Sequence, residues 1–253
     1  MDLVFHNLTL DLNYASYDGT SLFMHLLLPQ NEFTDKPIPI IIYIPGSAWF
    51  KQNLGGSIPQ VMKFVEQSGY AAAIVGYRPS TVAKSPAQLV DIKSSIRYLR
   101  ANANAYNIDP DRVAIWGTSS GGHIASLVGL TEGIERFETK ENGEESSSVK
   151  AVINFFGPTD FLRMDDFPSA ITHNEASSPE SSVIGGPIQD PINRSKVDEY
   201  NPLSYISEDK EYPPFLIMHG DSDHLVPFNQ SLILYEALRD ANHSAEFYKL
   251  LGA

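Results

Sequence analysis

Short strand-like runs of mainly apolar residues alternate along the chain with segments whose apolar positions recur at helical spacing. After a polar gap near position 35, these runs are Ile38–Ile44 (IPIIIYI), Ala71–Tyr77, Val113–Trp116, Ala151–Phe156, Phe215–Met218 and Glu246–Leu251. Several are apolar throughout, which is typical of strands covered on both faces. The pattern therefore predicts a sheet buried between two layers.

Two earlier runs, Phe5–Tyr14 and Leu22–Leu28, flank the turn dipeptide Asp18-Gly19 and predict an antiparallel strand pair. Helices are predicted over Pro59–Gln67, Pro86 to about Asn104, Ser120–Leu130 and Asn229–Ala241. Ser85 is expected to cap the second of these helices, with Pro86 at its first position. An antiparallel start followed by strand–helix–strand units predicts one α/β domain, a mostly parallel sheet with helices on both faces.

Two segments fall outside this alternation. Residues 132–148 (EGIERFETKENGEESSS) are polar and charged, and we expect a solvated excursion. Residues 160–207 are rich in Pro, Ser and Gly and separate two predicted strands by more than one crossover needs. Long insertions often form lids or pocket walls, so we predict a cap-like insertion before the strand Phe215–Met218. An insertion with no role in a site is the alternative.

Composition limits the partners and the location of the protein. The 253 residues are 42% hydrophobic, enough for one substantial core. With 18 Lys+Arg against 31 Asp+Glu, the net charge of −13 argues against nucleic acid and anionic membrane partners. The chain contains no cysteine, so it has neither disulfides nor thiolate metal ligands. Its first residues do not resemble a signal peptide and no run is long enough to cross a membrane, so we expect a cytoplasmic protein. The composition leaves open whether the protein forms a homo-oligomer.

The candidate chemistry centres on Gly117–His123 (GTSSGGH). Gly-x-Ser-x-Gly between a strand and a helix is the pattern of a nucleophile elbow, a sharp turn that holds the serine in a strained conformation. Here Gly117 and Gly121 take the flanking positions, a predicted strand precedes them and a predicted helix follows. Ser119 is therefore the predicted nucleophile.

A serine nucleophile needs a base and an orienting carboxylate, which this pattern places downstream in the order serine, acid, histidine. Asp221 and Asp223 follow the strand Phe215–Met218. We predict Asp223 as the acid, because Asp221 comes directly after a turn glycine, where aspartate commonly bonds its own backbone. The alternative is that both residues only shape the turn.

None of the seven histidines fits the position of the base. His123 lies one helical turn after Ser119 and is expected to be structural. His219 ends a strand, His224 adjoins the predicted acid, and His243 is expected at the opposite end of the sheet. The remaining histidines precede the acid in sequence, and they are His6, His25 and His173.

Short motifs along the whole chain carry a family resemblance. They are Tyr77-Arg78, Asp109–Val113, Gly117–His123, Phe156–Asp160, Ser178–Ser181, Ile184–Gly186, Asn201-Pro202 and His219–Pro227. With these motifs the chain resembles the α/β-hydrolases of the acetyl-esterase and lipase group, in particular the bifunctional feruloyl and acetyl-xylan esterases and the hormone-sensitive-lipase-like carboxylesterases. The resemblance implies the α/β-hydrolase fold and an esterase.

The same resemblance implies Ser119 as nucleophile and Asp223 as triad acid. It places the histidine after the last strand, in a turn resembling Gly-Ala-Gly-His. The present sequence stops at Leu251-Gly252-Ala253. The resemblance thus implies that the C-terminal end is truncated and that the histidine would follow about two residues beyond Ala253.

Relatives carry His-Gly-Gly-Gly-Trp after the third strand, where this chain has Pro45–Trp49 (PGSAW). Oxyanion donors of this kind are backbone N–H groups, so Ser47, Ala48 and Ser120 are predicted to form the oxyanion hole. The predicted substrate pocket consists of Trp49, Phe50, Tyr77 and Pro158. For the first two of these residues, a place in the core is the alternative.

The function expected from this resemblance is a carboxylesterase or acetyl esterase that cleaves short-chain acyl esters through an acyl-enzyme. Acetylated sugars or xylo-oligosaccharides are the expected small-molecule substrates, and neither metal nor cofactor is expected. Two alternatives stay open. The same residues could serve an amidase or peptidase of the same fold, and a chain that truly ends at Ala253 would be a catalytically inactive binding protein.

Overall fold

The computed structural model describes residues 7–29 and 36–253, and within these ranges the chain forms one eight-stranded sheet. The strands are β1 Leu8–Tyr17, β2 Thr20–Leu27, β3 Ile38–Ile44, β4 Ala71–Val75, β5 Ile108–Thr118, β6 Val152–Phe155, β7 Phe215–Gly220 and β8 Ala245–Leu250. Their order across the sheet is β1-β2-β4-β3-β5-β6-β7-β8. β2 pairs antiparallel with β1 and β4, and all pairs from β4 to β8 are parallel. The predicted mostly parallel sheet is confirmed.

Helices occupy the connections between the strands. They are α1 Leu54–Ser68, α2 Ala87–Ala101, α3 Ala103–Tyr106, α4 Ser120–Leu130, α5 Pro179–Ile184, α6 Arg194–Glu199 and α7 Asn229–Asp240. Four 3₁₀ turns are present in the described part of the chain, at Glu135–Phe137, Phe161–Asp166, Pro191–Asn193 and Pro202–Tyr205. Within the described ranges, no helix combines the length and apolar character that spanning a bilayer requires.

The central strand β3 shows how the sequence builds the two layers. Side chains alternate between the faces of a strand, and here both sets are buried. Ile40, Ile42 and Ile44 join the larger core with residues of α2, α4 and α7. Ile41 and Tyr43 join a second core with residues of α1. Helices therefore cover both faces, as predicted, and the carboxyl ends of β3, β5 and β7 meet at one edge of the sheet.

Two predicted boundaries differ from the structure, at β1 and at the start of α2. β1 runs from Leu8 to Tyr17, while the predicted residues Phe5 and His6 lie outside the described residues. The prediction that Ser85 caps α2 is wrong, because Pro86 is the N-cap and has no side chain to accept from the helix. The backbone N–H of Ser85 instead donates to Val183 O over 2.8 Å and joins α2 to α5.

The two predicted insertions are both packed on the domain. The prediction of a solvated excursion at 132–148 is wrong in part, since Phe137 is fully buried and Glu138 accepts from Lys93 and Arg97 of α2 over 2.9 and 2.8 Å. The insertion 160–207 contains α5, α6 and three of the 3₁₀ turns. Ala170 N donates to His224 O over 2.6 Å, which places this insertion against the loop that follows β7.

Candidate active site

Ser119 lies at a sharp turn between β5 and α4. Its backbone has φ 53° and ψ −126°, a left-handed conformation that costs a non-glycine residue energy and that clusters at functional sites. The turn is held by Ser119 N donating to Phe155 O over 2.9 Å. The half-buried side chain has no hydrogen-bond partner within residues 7–29 and 36–253. Its hydroxyl is therefore presented at the amino end of α4, where the helix dipole favours developing negative charge.

The glycines of the elbow are required by close backbone approach. A Cβ atom at Gly117 would lie 2.0 Å from Gly121 O, and one at Gly121 would lie 2.1 Å from Ile44 O. Neither backbone atom can move away without separating β5 from α4 or β3. These contacts give the Gly-x-Ser-x-Gly pattern a physical reason at this site and support the elbow prediction by geometry.

Asp223 is on the loop after β7 and lines the same cavity as Ser119. Its Oδ1 accepts from Leu225 N over 2.8 Å and from Val226 N over 2.9 Å. Its Oδ2 lies 3.5 Å from His219 Nε2. Burial alone raises the pKa of Asp223, but the contacts with His219, Leu225 N and Val226 N outweigh burial and bring this pKa below its usual value. Asp223 is therefore a fixed carboxylate at neutral pH.

Asp221 has a different environment. Its Oδ1 accepts from Gly252 N over 2.8 Å, and its Oδ2 lies 3.1 Å from Lys249 Nζ. The Gly252 N–H and then the Lys249 ammonium hold the pKa of Asp221 below its ordinary value. Asp221 thus ties the end of β8 to the loop after β7 and is absent from the residues that line the cavity with Ser119.

The loop after β3 brings two of the predicted oxyanion donors to the cavity, and one of them needs correction. Ser47 N donates to Ser120 Oγ over 3.0 Å, so the N–H of Ser47 is already occupied. Ala48 N has no acceptor within the described part of the chain, and Ser120 N lies in the first turn of α4, where N–H groups have no intrahelical acceptor. Of the three predicted donors, Ala48 and Ser120 therefore have N–H groups that are free within the described residues.

A cavity of about 500 Å³ opens around Ser119. Its lining includes apolar residues from the loops after β6 and β7, namely Phe156, Leu225 and Val226. It also includes polar residues near the start of α1 and on β3 and β5, namely Tyr43, Asn53, Ser57 and Thr118. Sequence reasoning missed this second group. A usable signal was Asn53, whose position before α1 matches an N-cap.

None of the four predicted pocket residues is among those that line this cavity. Trp49 is 1% exposed and packs edge-on against His123 and Phe161, which is the core alternative. Pro158 is buried, and Phe50 is 37% exposed outside the lining. Tyr77 is 5% exposed and bonds Ser47 and Ser120 beneath the loop. The pocket assignment is therefore replaced by the lining residues above.

Five of the six described histidines are bonded away from Ser119, and the sixth, His224, is exposed beside Asp223. His123 is fully buried, donates from Nε2 to Tyr200 O over 2.8 Å, and burial lowers its pKa to about 4. His219 Nε2 donates to Val226 O over 2.9 Å, which leaves Nδ1 to accept from Ser231 Oγ. His173 contacts Glu180 over 3.0 Å within the insertion, and His243 contacts Ser207 O before β8. No group of three or more His, Asp or Glu placed to hold a metal ion occurs among the described residues.

Comparison with known proteins identifies the family of the chain. The model of the BD-FAE family matches residues 24–238. The bifunctional GH43-CE of Bacteroides eggerthii is 32% identical with a TM-score of 0.85 over 100% of this chain and 36% of its own. A truncated form of a carbohydrate esterase from gut microbiota is 32% identical with a TM-score of 0.82 over 98% of this chain and 89% of its own.

The curated relatives are longer proteins, and this chain matches part of each. The probable carboxylic ester hydrolase LipM of Mycobacterium tuberculosis is 29% identical over 238 residues, which are 94% of this chain and 53% of LipM. The chain spans about half the length of the curated relatives it matches. The α/β-hydrolase fold implied by the motifs is confirmed by the structural matches. Since the family model covers most of the sequence, this chain belongs to the BD-FAE family of α/β-hydrolase esterases.

Proposed function

We propose that the protein hydrolyses carboxylic esters through a covalent serine intermediate. The observation that carries this proposal is the pairing of Ser119, on a strained elbow, with the fixed carboxylate of Asp223 across one cavity. Ser119 Oγ attacks the ester carbonyl while a base takes its proton, and the oxyanion accepts from Ala48 N and Ser120 N. The base then protonates the departing alcohol, and water releases the acid from Ser119.

The general base is proposed to be a histidine from outside the described residues. No described histidine lines the cavity with Ser119, and all of them except His224 are bonded elsewhere. Ala253 itself lies against the acid loop, because its carbonyl accepts from Ser222 N over 2.8 Å. A segment that continued past Ala253 would therefore start beside Ser222, the neighbour of Asp223, where a base has to be oriented.

The substrate class follows from the two sides of the cavity. The apolar side, with Phe156, Leu225 and Val226, suits a short acyl group, and the polar side, with Asn53 and Ser57, suits an alcohol rich in hydroxyls. Two similar solved structures are a bifunctional GH43-CE and a carbohydrate esterase. Acetyl esters of sugars or xylo-oligosaccharides fit both observations.

A substrate panel tests this assignment. We expect acetyl and propionyl p-nitrophenyl esters to be cleaved, and the matching anilides to be cleaved far more slowly or not at all. Replacing Asn53 by serine keeps an oxygen that can cap α1, as Asn53 Oδ1 now caps Gly56 N, but removes the amide NH₂. Loss of one substrate hydrogen bond is expected to raise KM for an acetylated xylo-oligosaccharide by about 2- to 10-fold, with KM for p-nitrophenyl acetate unchanged.

The matched control is Asn201→Ser, because Asn201 also caps a turn, at Leu203 N, but does not line the cavity. Faster cleavage of anilides than of esters would replace the esterase by an amidase. Equal effects of Asn53→Ser on both esters would remove Asn53 from the alcohol side.

The acid is tested by an isosteric pair. Asp223→Asn is expected to lower kcat by about ten-thousand-fold at neutral pH in a chain that carries the base, because an amide cannot stabilise the protonated histidine. Asp221→Asn is the control, since it changes only the ties to Ser222, Lys249 and Gly252. Steady-state kinetics with p-nitrophenyl acetate distinguish the two variants. A larger loss for Asp221→Asn than for Asp223→Asn would transfer the role to Asp221.

A further inference from the structure

The loop that carries Ala48 is docked on both neighbours of Ser119. Gly46 N donates to Thr118 Oγ1 over 3.1 Å, and Ser47 N donates to Ser120 Oγ over 3.0 Å. Two successive N–H groups of the loop are thus fixed by side chains of the elbow. Ala48 follows with φ 52°, in the left-handed region, and presents the first N–H that is not held in this way.

Hydroxyl groups continue from Ser120 into a closed chain whose direction the acceptors determine. Ser47 Oγ donates to Phe50 O over 2.8 Å, since a carbonyl oxygen only accepts. In its 2.9 Å contact with Tyr77, Ser47 Oγ must therefore accept, and the Tyr77 hydroxyl donates. Tyr77 then has no hydrogen left for Ser120, so across 3.3 Å Ser120 Oγ donates to Tyr77. Each hydrogen in the chain has one acceptor.

The chain is buried and keeps its protons. Ser120 is 1% and Tyr77 is 5% exposed, so water does not compete readily for these hydroxyls. Burial raises the pKa of Tyr77 to about 12, although its bonds with Ser120 and Ser47 oppose the rise. Tyr77 therefore remains a donor throughout the neutral and mildly alkaline range.

We propose that the hydroxyls of Ser47, Tyr77 and Ser120 form a brace that holds the Ala48 N–H toward Ser119, which makes Tyr77 and Ser120 positioning residues for the oxyanion. This inference rests on the proposed esterase function for its catalytic consequence. The left-handed backbone at Ala48 and Trp49 gives the reason, since such conformations persist only where surrounding contacts hold them.

The test combines hydrogen exchange with acylation kinetics on a chain that carries the base. In Ser120→Ala and in Tyr77→Phe, we expect the Ser47 amide to exchange at least about tenfold faster by NMR, because protection follows the opening of the bond. The Ser119 amide, which donates to Phe155 O, is the internal reference and should not change. Acylation by p-nitrophenyl acetate should slow by about tenfold, with KM within twofold. Complete loss of an oxyanion donor costs about a hundredfold or more, and these variants only loosen the Ala48 N–H.

Tyr205→Phe is the matched control, because Tyr205 is also buried and its hydroxyl bonds Glu199 O far from the loop in sequence. The double variant Ser120→Ala/Tyr77→Phe should behave like the single variants, since both break the same brace. If Tyr77→Phe fails to fold, the Ser120→Ala data alone decide the question.

Unchanged Ser47 exchange in Ser120→Ala would overturn the brace, and so would faster exchange with acylation at the parent rate. A parent chain that carries the base and still forms no acyl-enzyme, together with the expected change in Ser47 exchange, would support the brace and refute the proposed esterase function. The two failures are therefore distinguishable.

Discussion

Replacing Ser119 by alanine is expected to lower kcat for ester hydrolysis by about a millionfold in a chain that carries the base, and to abolish covalent labelling by a phosphonate. The hydroxyl is the only group that can form the acyl bond in this mechanism. It makes no hydrogen bond within the described residues, so its removal should leave the melting temperature nearly unchanged. Kinetics with p-nitrophenyl acetate, intact mass after phosphonate treatment and thermal unfolding measure the three effects.

Ser57→Ala is the matched control, because Ser57 lines the same cavity but lies at the start of α1. This variant should keep the phosphonate label and most of the esterase activity. Activity above about a tenth of the parent in Ser119→Ala, or labelling of that variant, would show that Ser119 is not the nucleophile.

Local patterns were sufficient for the strands and helices that surround Ser119. Ile38–Ile44 coincides with β3 and Ser120–Leu130 coincides with α4, because an apolar run and a glycine-marked elbow leave few other choices. β5 is longer than its predicted apolar part, Val113–Trp116. The strand begins five residues earlier, at Ile108, which pairs with Ile38. A register shift separates this pair from the pair Ile40–Val113, and no local pattern indicates that shift.

Contacts between distant residues account for the site predictions that needed correction. The occupied N–H of Ser47 depends on Ser120, which is 73 residues away, so the loop sequence alone cannot reveal it. Trp49 was predicted to line the pocket, and a place in the core was the alternative. Its backbone has φ 59° after Ala48 at 52°, and this pair of left-handed residues accompanies the burial of its ring against Phe161.

The choice between the two aspartates is instructive because its reason was wrong. Asp221 was expected to bond its own turn, but it bonds Gly252 and Lys249 of a different segment. Asp223 is the residue that accepts from its own loop, at Leu225 N and Val226 N. Those bonds leave Asp223 on the cavity wall, so the prediction of Asp223 as acid stays a prediction with geometric support.

The general base is expected to be none of the described histidines, and supplying one from a C-terminal extension should have an effect as large as removing Ser119. Fully extended residues span at most about 3.6 Å each, so two residues reach about 7 Å beyond Ala253. Because Ala253 O is bonded to Ser222 N, such a segment starts next to Asp223. Asp223 Oδ2 has only the 3.5 Å contact with His219 Nε2 and can accept from an incoming imidazole.

A chain that continues past Ala253 with glycine and histidine is therefore expected to turn over p-nitrophenyl acetate up to about a millionfold faster than residues 1–253 alone. Its kcat/KM should rise with pH through about 6.5, as a histidine base loses its proton, and residues 1–253 should lack this step. The same extension with glutamine in place of histidine is the control for added length, and Ser119→Ala in the extended chain should remove the gain. If a preparation shown by mass to end at Ala253 has full turnover, the base lies within the chain. His224, exposed beside Asp223, would then be the first histidine to replace.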